Sequence, residues 1–285
     1  MKLIFLHIPK AGGTTLHSIL ERLYAGKVIF SIKVRGHTLG VEEFTNLAPA
    51  EKNAIHVLKG HMPFGLHTHF EGEESKYITL FRNPVDRIVS HYEYVLRKPN
   101  HYLYEKVISS KMSLLEYALS DLSAELDNHQ CRSLIQDQNI PLNTFTEEHF
   151  DQAVKNLQNH FISFGIVEDF DRSLLLFRHD LGWNQYPYYV KLNTKPDYMS
   201  KKNPSEVLAQ IAKRNYWDVR LYNWAKAELN KRLSTISNLD QELKTLQISS
   251  EAFGQGINHH AKSLKAGGTK KGKGIASFVK RLIGR

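Results

Sequence analysis

A glycine-rich segment near the start of the chain has the composition of an anion-binding loop. It follows a short apolar run and precedes a helical pattern, so its backbone N–H groups would converge where the helix dipole favours an anion. Adjacent glycines permit close backbone approach, a lysine adds positive charge and two threonines add hydroxyl donors. An ordinary strand-to-helix turn is the alternative interpretation. The residues are Lys10, Ala11, Gly12, Gly13, Thr14 and Thr15.

The order of residues in this segment differs from the loop of nucleotide triphosphatases. Their pattern, G-x-x-x-x-G-K-[ST], places the lysine after the glycines, whereas Lys10 precedes Gly12 and Gly13. A nucleotide-dependent kinase is therefore the less favoured alternative from the same chemistry. A non-catalytic anion-binding or membrane-adaptor protein is the alternative from another class.

A second candidate phosphate-binding segment lies further along the chain. Arg82 follows an apolar run and would leave a strand end where its guanidinium can form paired hydrogen bonds with phosphate oxygens. Asn83 and Pro84 are residue types that begin a helix, as N-cap and first helical residue. Ser90 follows about two turns later, where its hydroxyl can face the same pocket. Two such segments are harder to explain as ordinary turns than either one alone.

Histidine is abundant, and position decides which histidines are candidates. The chain has 15 of them, so one chosen at random is more often an incidental surface or core residue than a functional one. Lys59-Gly60-His61 ends an apolar run between the two phosphate-type segments. His67 and His69 suggest a metal-ligand pair, but no clear third ligand accompanies them. We interpret that stretch as a solvated loop and predict no metal site.

The elements around these residues predict an α/β fold. Short apolar runs typical of buried parallel strands precede the glycine loop, His61 and Arg82, and helical patterns separate them. We predict a central, mainly parallel sheet flanked by helices. Helical stretches at 113–138 and 147–160 would pack around the sheet or cover its ligand edge, and closing helices would span 216–246. The strand candidates are residues 3–8, Ala54–Lys59, Tyr77–Phe81 and Phe161–Val167.

Length and composition limit the class of protein. At 285 residues the chain can bury the core of one α/β domain with appendages. Its single cysteine, Cys131, rules out an internal disulfide framework and favours a reducing compartment. No apolar run reaches the roughly 18 residues that a membrane-spanning helix needs, and the first residues are too soon interrupted for a signal peptide. We expect a cytoplasmic protein.

The net charge of +9 does not indicate a nucleic-acid-binding domain, because the excess charge lies at the C-terminus. Residues 252–285 contain eight Lys or Arg and no Asp or Glu, which leaves +1 for residues 1–251. A basic face on the main domain is therefore not implied. We expect no nucleic-acid partner.

The C-terminal region has a composition of its own. We predict a main domain over residues 1–250 and a basic Gly/Lys-rich linker with a tail helix over 251–285. The tail helix, 274–285, would be amphipathic and basic, and could make peripheral contact with an anionic membrane or dock on a partner. A helix packed on its own domain and a disordered end are the alternatives. Its apolar residues are Ile275, Phe278, Val279, Leu282 and Ile283.

Two segments resemble the nucleotide-binding motifs of the sulfotransferase family that includes the Golgi heparan sulfate 2-O-sulfotransferases and many bacterial relatives. Residues 5–15, FLHIPKAGGTT, are similar to the 5'-phosphosulfate loop, although Ala11 stands where the family more often has threonine. Residues 80–92, LFRNPVDRIVSHY, are similar to the 3'-phosphate motif. The resemblance covers about residues 1–230 and implies a P-loop-NTPase-like three-layer fold.

The resemblance also implies an activity. Such an enzyme moves a sulfonate group from 3'-phosphoadenosine 5'-phosphosulfate (PAPS) to an acceptor hydroxyl, releases 3',5'-adenosine bisphosphate and needs no metal. The glycine loop would hold the 5'-phosphate with Lys10 on the leaving oxygen, and Arg82 with Ser90 would select the 3'-phosphate that distinguishes PAPS from ATP. His61 stands at the place of the family's catalytic histidine and would remove the acceptor proton. Lys59 replaces a second histidine of the heparan-type enzymes, which speaks against a two-histidine mechanism.

Weaker similarities lie later in the chain. Residues 127–132 resemble a family segment near the active site, residues 164–168 resemble a strand that ends close to it, and residues 189–193 resemble the start of a loop over the nucleotide. By family analogy we expect a sugar hydroxyl as the acceptor, with a lipid or natural-product alcohol as the alternative. The additional site candidates are Lys59, Asn128, Gln130 and Arg132 for the substrate, and Lys191 and Asn193 for the nucleotide.

Overall fold

A computed structural model describes residues 1–35, 38–190 and 203–266. Five of its strands form one sheet in which all neighbours are parallel, in the order β2-β5-β1-β6-β7, and β3 pairs with β4 as a short antiparallel hairpin. The strands are β1 (Lys2–Leu6), β2 (Ile29–Ile32), β3 (Val34–Arg35), β4 (Thr38–Leu39), β5 (Val57–Gly60), β6 (Ser75–Phe81) and β7 (Phe161–Ile166).

Helices connect and cover these strands. Short 3-10 helices lie at Leu66–His69, Ala124–Leu126 and Val167–Asp169. The α-helices are α1 (Gly13–Leu23), α2 (Val41–Thr45), α3 (Pro49–Ala54), α4 (Pro84–Leu96), α5 (Tyr104–Ser109), α6 (Leu114–Leu119), α7 (His129–Arg132), α8 (Glu147–His160), α9 (Phe170–Asp180), α10 (Ser205–Arg214), α11 (Tyr216–Leu233) and α12 (Leu239–Ala266).

The sheet has a helical layer on each face. The side chains of β1 alternate between the two faces, and each set packs against a different group of helices. Leu3 and Phe5 pack in one hydrophobic cluster with residues of α1 and α9. Ile4 and Leu6 pack in the other cluster with residues of α8 and α11. Each fully buried Leu or Phe side chain stabilises the fold by about 1.5–3 kcal/mol relative to exposure. The predicted three-layer α/β architecture is therefore confirmed.

The predicted strands agree with the sheet except at its β2 edge. The prediction at Ala54–Lys59 begins too early, because Ala54 is the last residue of α3 and β5 starts at Val57. No strand was predicted at β2, whose four residues are mostly half-buried or exposed. An edge strand of this kind lacks the continuous apolar run that marks a strand buried on both faces.

The predicted helical stretches are divided in the structure. Residues 113–138 form α6, a 3-10 turn and the four-residue α7 rather than one helix. The closing stretch divides into α11 and α12, with Asn238 at a φ of 63° just before α12. Helix α12 continues past the predicted domain boundary at residue 250. The predicted tail helix, 274–285, lies outside the described residues.

The strand order places two loops side by side. The chain leaves β1 towards β2 on one side of the sheet, and leaves β6 towards β7 on the other. The crevice at the carboxyl ends of these two strands is where open α/β sheets bind ligands. In the part of the chain that the structure describes, no helix is long and apolar enough to cross a membrane.

Candidate active site

The loop between β1 and α1 requires glycine at two adjacent positions. Gly12 has a φ of 70°, in the left-handed region that side chains disfavour. Gly13 is required for space, since a Cβ there would lie 1.9 Å from Nε2 of His7. Gly12 is the N-cap of α1 and has no side chain to cap the first helical amides. Those N–H groups are therefore available to an anion.

Gly13→Ala should destabilise the protein because the new methyl group displaces the His7 ring. Overpacking of this kind costs about 1–3 kcal/mol, and each kcal/mol lowers Tm by about 2–4 °C in a domain of this size. Gly256→Ala is the matched control, since nothing lies within 4 Å of a Cβ at that exposed helical position. Thermal unfolding measures both. If His7→Ala does not relieve the cost of Gly13→Ala in the double variant, the clash is not its cause.

Lys10 interacts with charged side chains of both signs: Arg82 and Arg97, and the carboxylates of Glu125 and Glu93. Its Nζ is 4.0 Å from the centroid of the Tyr94 ring on α4. Burial lowers the pKa of Lys10 to about 8, and the neighbouring charges of Arg82 and Arg97 add to the shift. A phosphate-type anion would relieve this repulsion between cations.

Arg82 connects the two candidate phosphate segments directly. Its Nη1 donates to the backbone carbonyl of Lys10 at 3.1 Å. The Gln130 side chain holds the Arg82 backbone, because Oε1 accepts from the Arg82 N–H and Nε2 donates to the Arg82 carbonyl, both at 2.9 Å. The structure thus brings Lys10, Arg82 and Gln130 together, with Gln130 supporting the strand end.

The helix that follows Arg82 begins as predicted. Asn83 is its N-cap and accepts from the backbone N–H of Val85 and of Asp86, which confirms the predicted helix start. The backbone N–H of Asn83 donates to Oε1 of Glu168 at 2.9 Å, so the end of β7 also meets this junction. Ser90 is 9% exposed and lies one turn before Tyr94, on the side of α4 where Lys10 lies.

His61 follows β5 and packs against the start of the glycine loop. Its ring stacks on the His7 ring at a centroid distance of 4.2 Å, and its Nδ1 lies 2.7 Å from the His7 carbonyl oxygen. A carbonyl only accepts, so Nδ1 carries the proton. Burial lowers the pKa of His61 below 6.5, although the bond to the His7 carbonyl opposes the shift. Neutral His61 therefore has an unprotonated Nε2, as a general base requires.

Two further histidines complete this cluster, and sequence reasoning did not identify them. Nε2 of His17 lies 3.0 Å from Nδ1 of His7. Burial and the neighbouring His61 and His17 hold the pKa of His7 well below its usual value. Burial, with the charge of Lys59 and the neighbouring His61, lowers the pKa of His17 to about 3. The only signal in the sequence was the two-residue spacing between Phe5 and His7, which places both side chains on the same side of an extended chain; their rings stack although His7 lies just beyond β1.

Lys59 does not lie with the other candidate substrate residues. It is 3% exposed, and its Nζ forms an ion pair and hydrogen bond with Oε1 of Glu21 on α1. In the sheet alternation Lys59 faces the α1 layer rather than the ligand edge. We therefore do not propose a substrate contact for Lys59.

Asn128 and Arg132 are engaged within the protein. Oδ1 of Asn128 accepts from the backbone N–H of Trp217 and of Asp218 and so caps the start of α11. The Arg132 guanidinium donates to Asp127 and to the carbonyls of Ile140 and Pro141. Both side chains tie α7 to its neighbours, and their contact with a substrate stays a prediction.

The remaining predictions concern the nucleotide-covering loop and metals. Lys191 and Asn193 lie outside the described residues. His67 contacts Tyr77 through Nδ1 at 3.1 Å, and its ring packs on that of His160. Within residues 1–35, 38–190 and 203–266, no group of three or more His, Cys, Asp or Glu is arranged to hold a metal ion.

Comparison with known proteins decides the family. The model of the sulfotransferase family matches residues 1–225, which is most of the chain. The chain belongs to the sulfotransferase family. This membership confirms the family predicted from the two motifs and supports sulfonate transfer to hydroxyl-bearing acceptors as the enzymatic activity.

More distant comparisons add little to this assignment. A crystal structure of a sulfotransferase from Alicyclobacillus acidocaldarius is similar to the chain, with 12% identity over 78% of this chain and 94% of that chain, at a TM-score of 0.41. A search of curated proteins found no significant match. The sulfotransferase assignment therefore rests on the family match and on the residues of the chain itself.

Proposed function

We propose that this sulfotransferase moves the sulfonate group of PAPS to a carbohydrate hydroxyl. The amides of Gly13, Thr14 and Thr15 would bind the 5'-phosphate at the N-terminus of α1. Arg82 and Ser90 would bind the 3'-phosphate, and Lys191 and Asn193 would contact the nucleotide. His61 and Lys10 are the proposed catalytic residues.

One observation carries this proposal: the Arg82 guanidinium reaches the Lys10 carbonyl across the crevice between β1 and β6. The two segments therefore meet at one site and could engage the two phosphates of one nucleotide. If the glycine loop were an ordinary turn and Asn83-Pro84 only a helix start, the two segments would have no reason to meet at one site. The proposed 3'-phosphate contact would have no counterpart in ATP, so the proposal favours PAPS over the nucleotide of a kinase.

The proposed reaction is an in-line transfer that needs no covalent intermediate. The acceptor oxygen forms a bond to sulfur while the bond between sulfur and the bridging oxygen of the 5'-phosphate breaks. The acceptor proton moves to Nε2 of His61. Negative charge develops on the leaving 3',5'-adenosine bisphosphate, where the Lys10 ammonium stabilises it.

A ligand comparison tests the donor, and product analysis tests the activity. PAPS and 3',5'-adenosine bisphosphate should raise Tm more than ATP at equal concentration, because only they carry a 3'-phosphate. Incubation with PAPS and a panel of sugar, lipid and natural-product alcohols should yield a sulfated sugar by mass spectrometry. Stabilisation by ATP alone would support a kinase, and binding without any transfer would support a non-catalytic protein.

The pH dependence should report His61 and Lys10 in the free enzyme. His61 must be neutral to accept a proton, and burial holds its pKa below the usual histidine value of 6.5. On acidification, kcat/KM should therefore fall only at a pH below the usual histidine pKa. Lys10 must be protonated and its pKa is about 8, so kcat/KM should fall above about pH 8. Bound donor phosphates would raise the pKa of Lys10 and move this upper limb to higher pH in kcat.

Lys10→Arg is the control for the upper limb. The pKa of arginine is above about 12, so its side chain stays protonated through this pH range. A Lys10→Arg enzyme that retains activity should therefore show no decline in kcat/KM near pH 8. An unchanged decline would show that Lys10 is not the titrating group.

A further inference from the structure

A buried cluster beside the proposed catalytic residues is not used by the mechanism above. Nε2 of His91 lies 2.5 Å from Oε2 of Glu125, and Nδ1 of His91 lies 2.6 Å from the Tyr117 hydroxyl. The Arg87 guanidinium donates to the backbone carbonyl of Glu125. Helices α4 and α6 thus hold the 3-10 turn that carries Glu125 in one orientation.

The carboxylate lies on the side of α4 that faces Lys10. His91 and Tyr94 are three residues apart on α4 and face the same side, and Lys10 lies over the Tyr94 ring. Burial lowers the pKa of Lys10 and of His61, and the charge of Glu125 opposes part of that lowering at both residues, which agrees with this placement. Burial raises the pKa of Glu125, but the bond from His91 and nearby positive charges outweigh it, so Glu125 remains ionised.

A carboxylate at this place is unfavourable for the donor. PAPS carries several negative charges, and two like charges at close range repel each other. The side chain of Glu125 is 25% exposed, and its Oε1 has no hydrogen-bond partner among the described residues, whereas Oε2 contacts His91. Oε1 is therefore suited to a ligand group that donates a hydrogen bond.

We propose that Glu125 binds the acceptor by accepting a hydrogen bond from a hydroxyl next to the one that is sulfonated, and so selects neutral polyhydroxylated carbohydrates over anionic ones. This inference rests on the proposed function and adds the acceptor class to it. An acceptor that already carries a carboxylate or sulfate near its reacting hydroxyl would be repelled by Glu125. His91 and Tyr117 act as positioning residues for the carboxylate.

Glu125→Gln tests this role, since it removes the charge and keeps the shape. The KM for a neutral oligosaccharide acceptor should rise about tenfold to a hundredfold, with kcat changed much less. The Kd of 3',5'-adenosine bisphosphate should stay the same or decrease. Glu105→Gln, at an exposed position on α5, is the matched control and should change none of these values. Glu125→Asp, which keeps the charge on a shorter side chain, should be intermediate.

A competition experiment tests the acceptor class. Neutral oligosaccharides and the same oligosaccharides oxidised to uronic acids are mixed, and mass spectrometry measures the sulfated product of each. The wild-type enzyme should prefer the neutral acceptors, and Glu125→Gln should reduce that preference. An unchanged acceptor KM, a wild-type preference for the uronic acids, or transfer only to acceptors that are not carbohydrates would overturn the proposal. Absence of any PAPS binding or turnover by the wild type would instead overturn the proposed function, and this inference with it.

Discussion

His61→Ala should lower kcat by about a hundredfold to ten-thousandfold, the contribution typical of a general base, while 3',5'-adenosine bisphosphate binds as before. The reason is that neutral His61, with Nδ1 held by the His7 carbonyl, is the proposed receiver of the acceptor proton. Sulfated product formed per second gives kcat, and isothermal titration calorimetry gives the Kd of the product nucleotide.

Two further variants separate proton removal from packing. His61→Asn keeps a donor for the His7 carbonyl and has no basic nitrogen, so it should lose as much activity as alanine does. His56→Ala removes an exposed histidine just before β5 and should leave kcat unchanged. Near wild-type turnover by His61→Asn would exclude His61 as the base.

Arg82→Ala should weaken 3',5'-adenosine bisphosphate binding by about tenfold to a hundredfold, because hydrogen bonds to charged groups contribute about 1.5–3 kcal/mol. The loss should be much smaller for 5'-AMP, which has no 3'-phosphate. Calorimetry with both nucleotides measures the difference. Arg82→Lys should recover only part of the affinity, since lysine cannot form the paired bonds of a guanidinium.

The hydrogen bond from Arg82 to the Lys10 carbonyl offers another explanation for a loss of nucleotide affinity in Arg82→Ala. Comparing 3',5'-adenosine bisphosphate with 5'-AMP distinguishes the two explanations. If Arg82 acts only by holding the glycine loop in shape, the two nucleotides should lose affinity equally, which would contradict a 3'-phosphate contact. Arg172→Ala removes an α9 side chain that forms an ion pair with Asp169 of the preceding 3-10 helix; it is the arginine control and should leave both affinities unchanged.

The parts of the site that the sequence predicted are those in which the chemistry lies within one contiguous segment. The glycine loop and the Asn83-Pro84 helix start are local patterns, since each depends on neighbours in the chain and on the strand before it. The buried strands were predicted for the same reason. Edge strand β2 and the divided helices of residues 113–138 were not, because short elements have little periodicity and depend on tertiary packing.

The candidate substrate residues show the limit of local similarity. Asn128 and Arg132 occur in a segment that resembles one near the active site, yet their side chains bond to α11 and to the following loop. Gln130 from the same segment reaches the Arg82 backbone. Adjacent residues on a helix point in different directions, so only the packed position of α7 separates these roles.

The sequence by itself determined the family, the α/β class and the strand-to-helix junctions that carry Lys10 and Arg82, because these are properties of contiguous segments. Tertiary structure alone decided the state and the neighbours of each side chain. The register of β1 with β5 brings the His7 carbonyl to His61, and the packing of α4 and α6 brings Glu125 to His91. Such contacts join residues far apart in the chain, and only the folded packing of strands and helices brings them together.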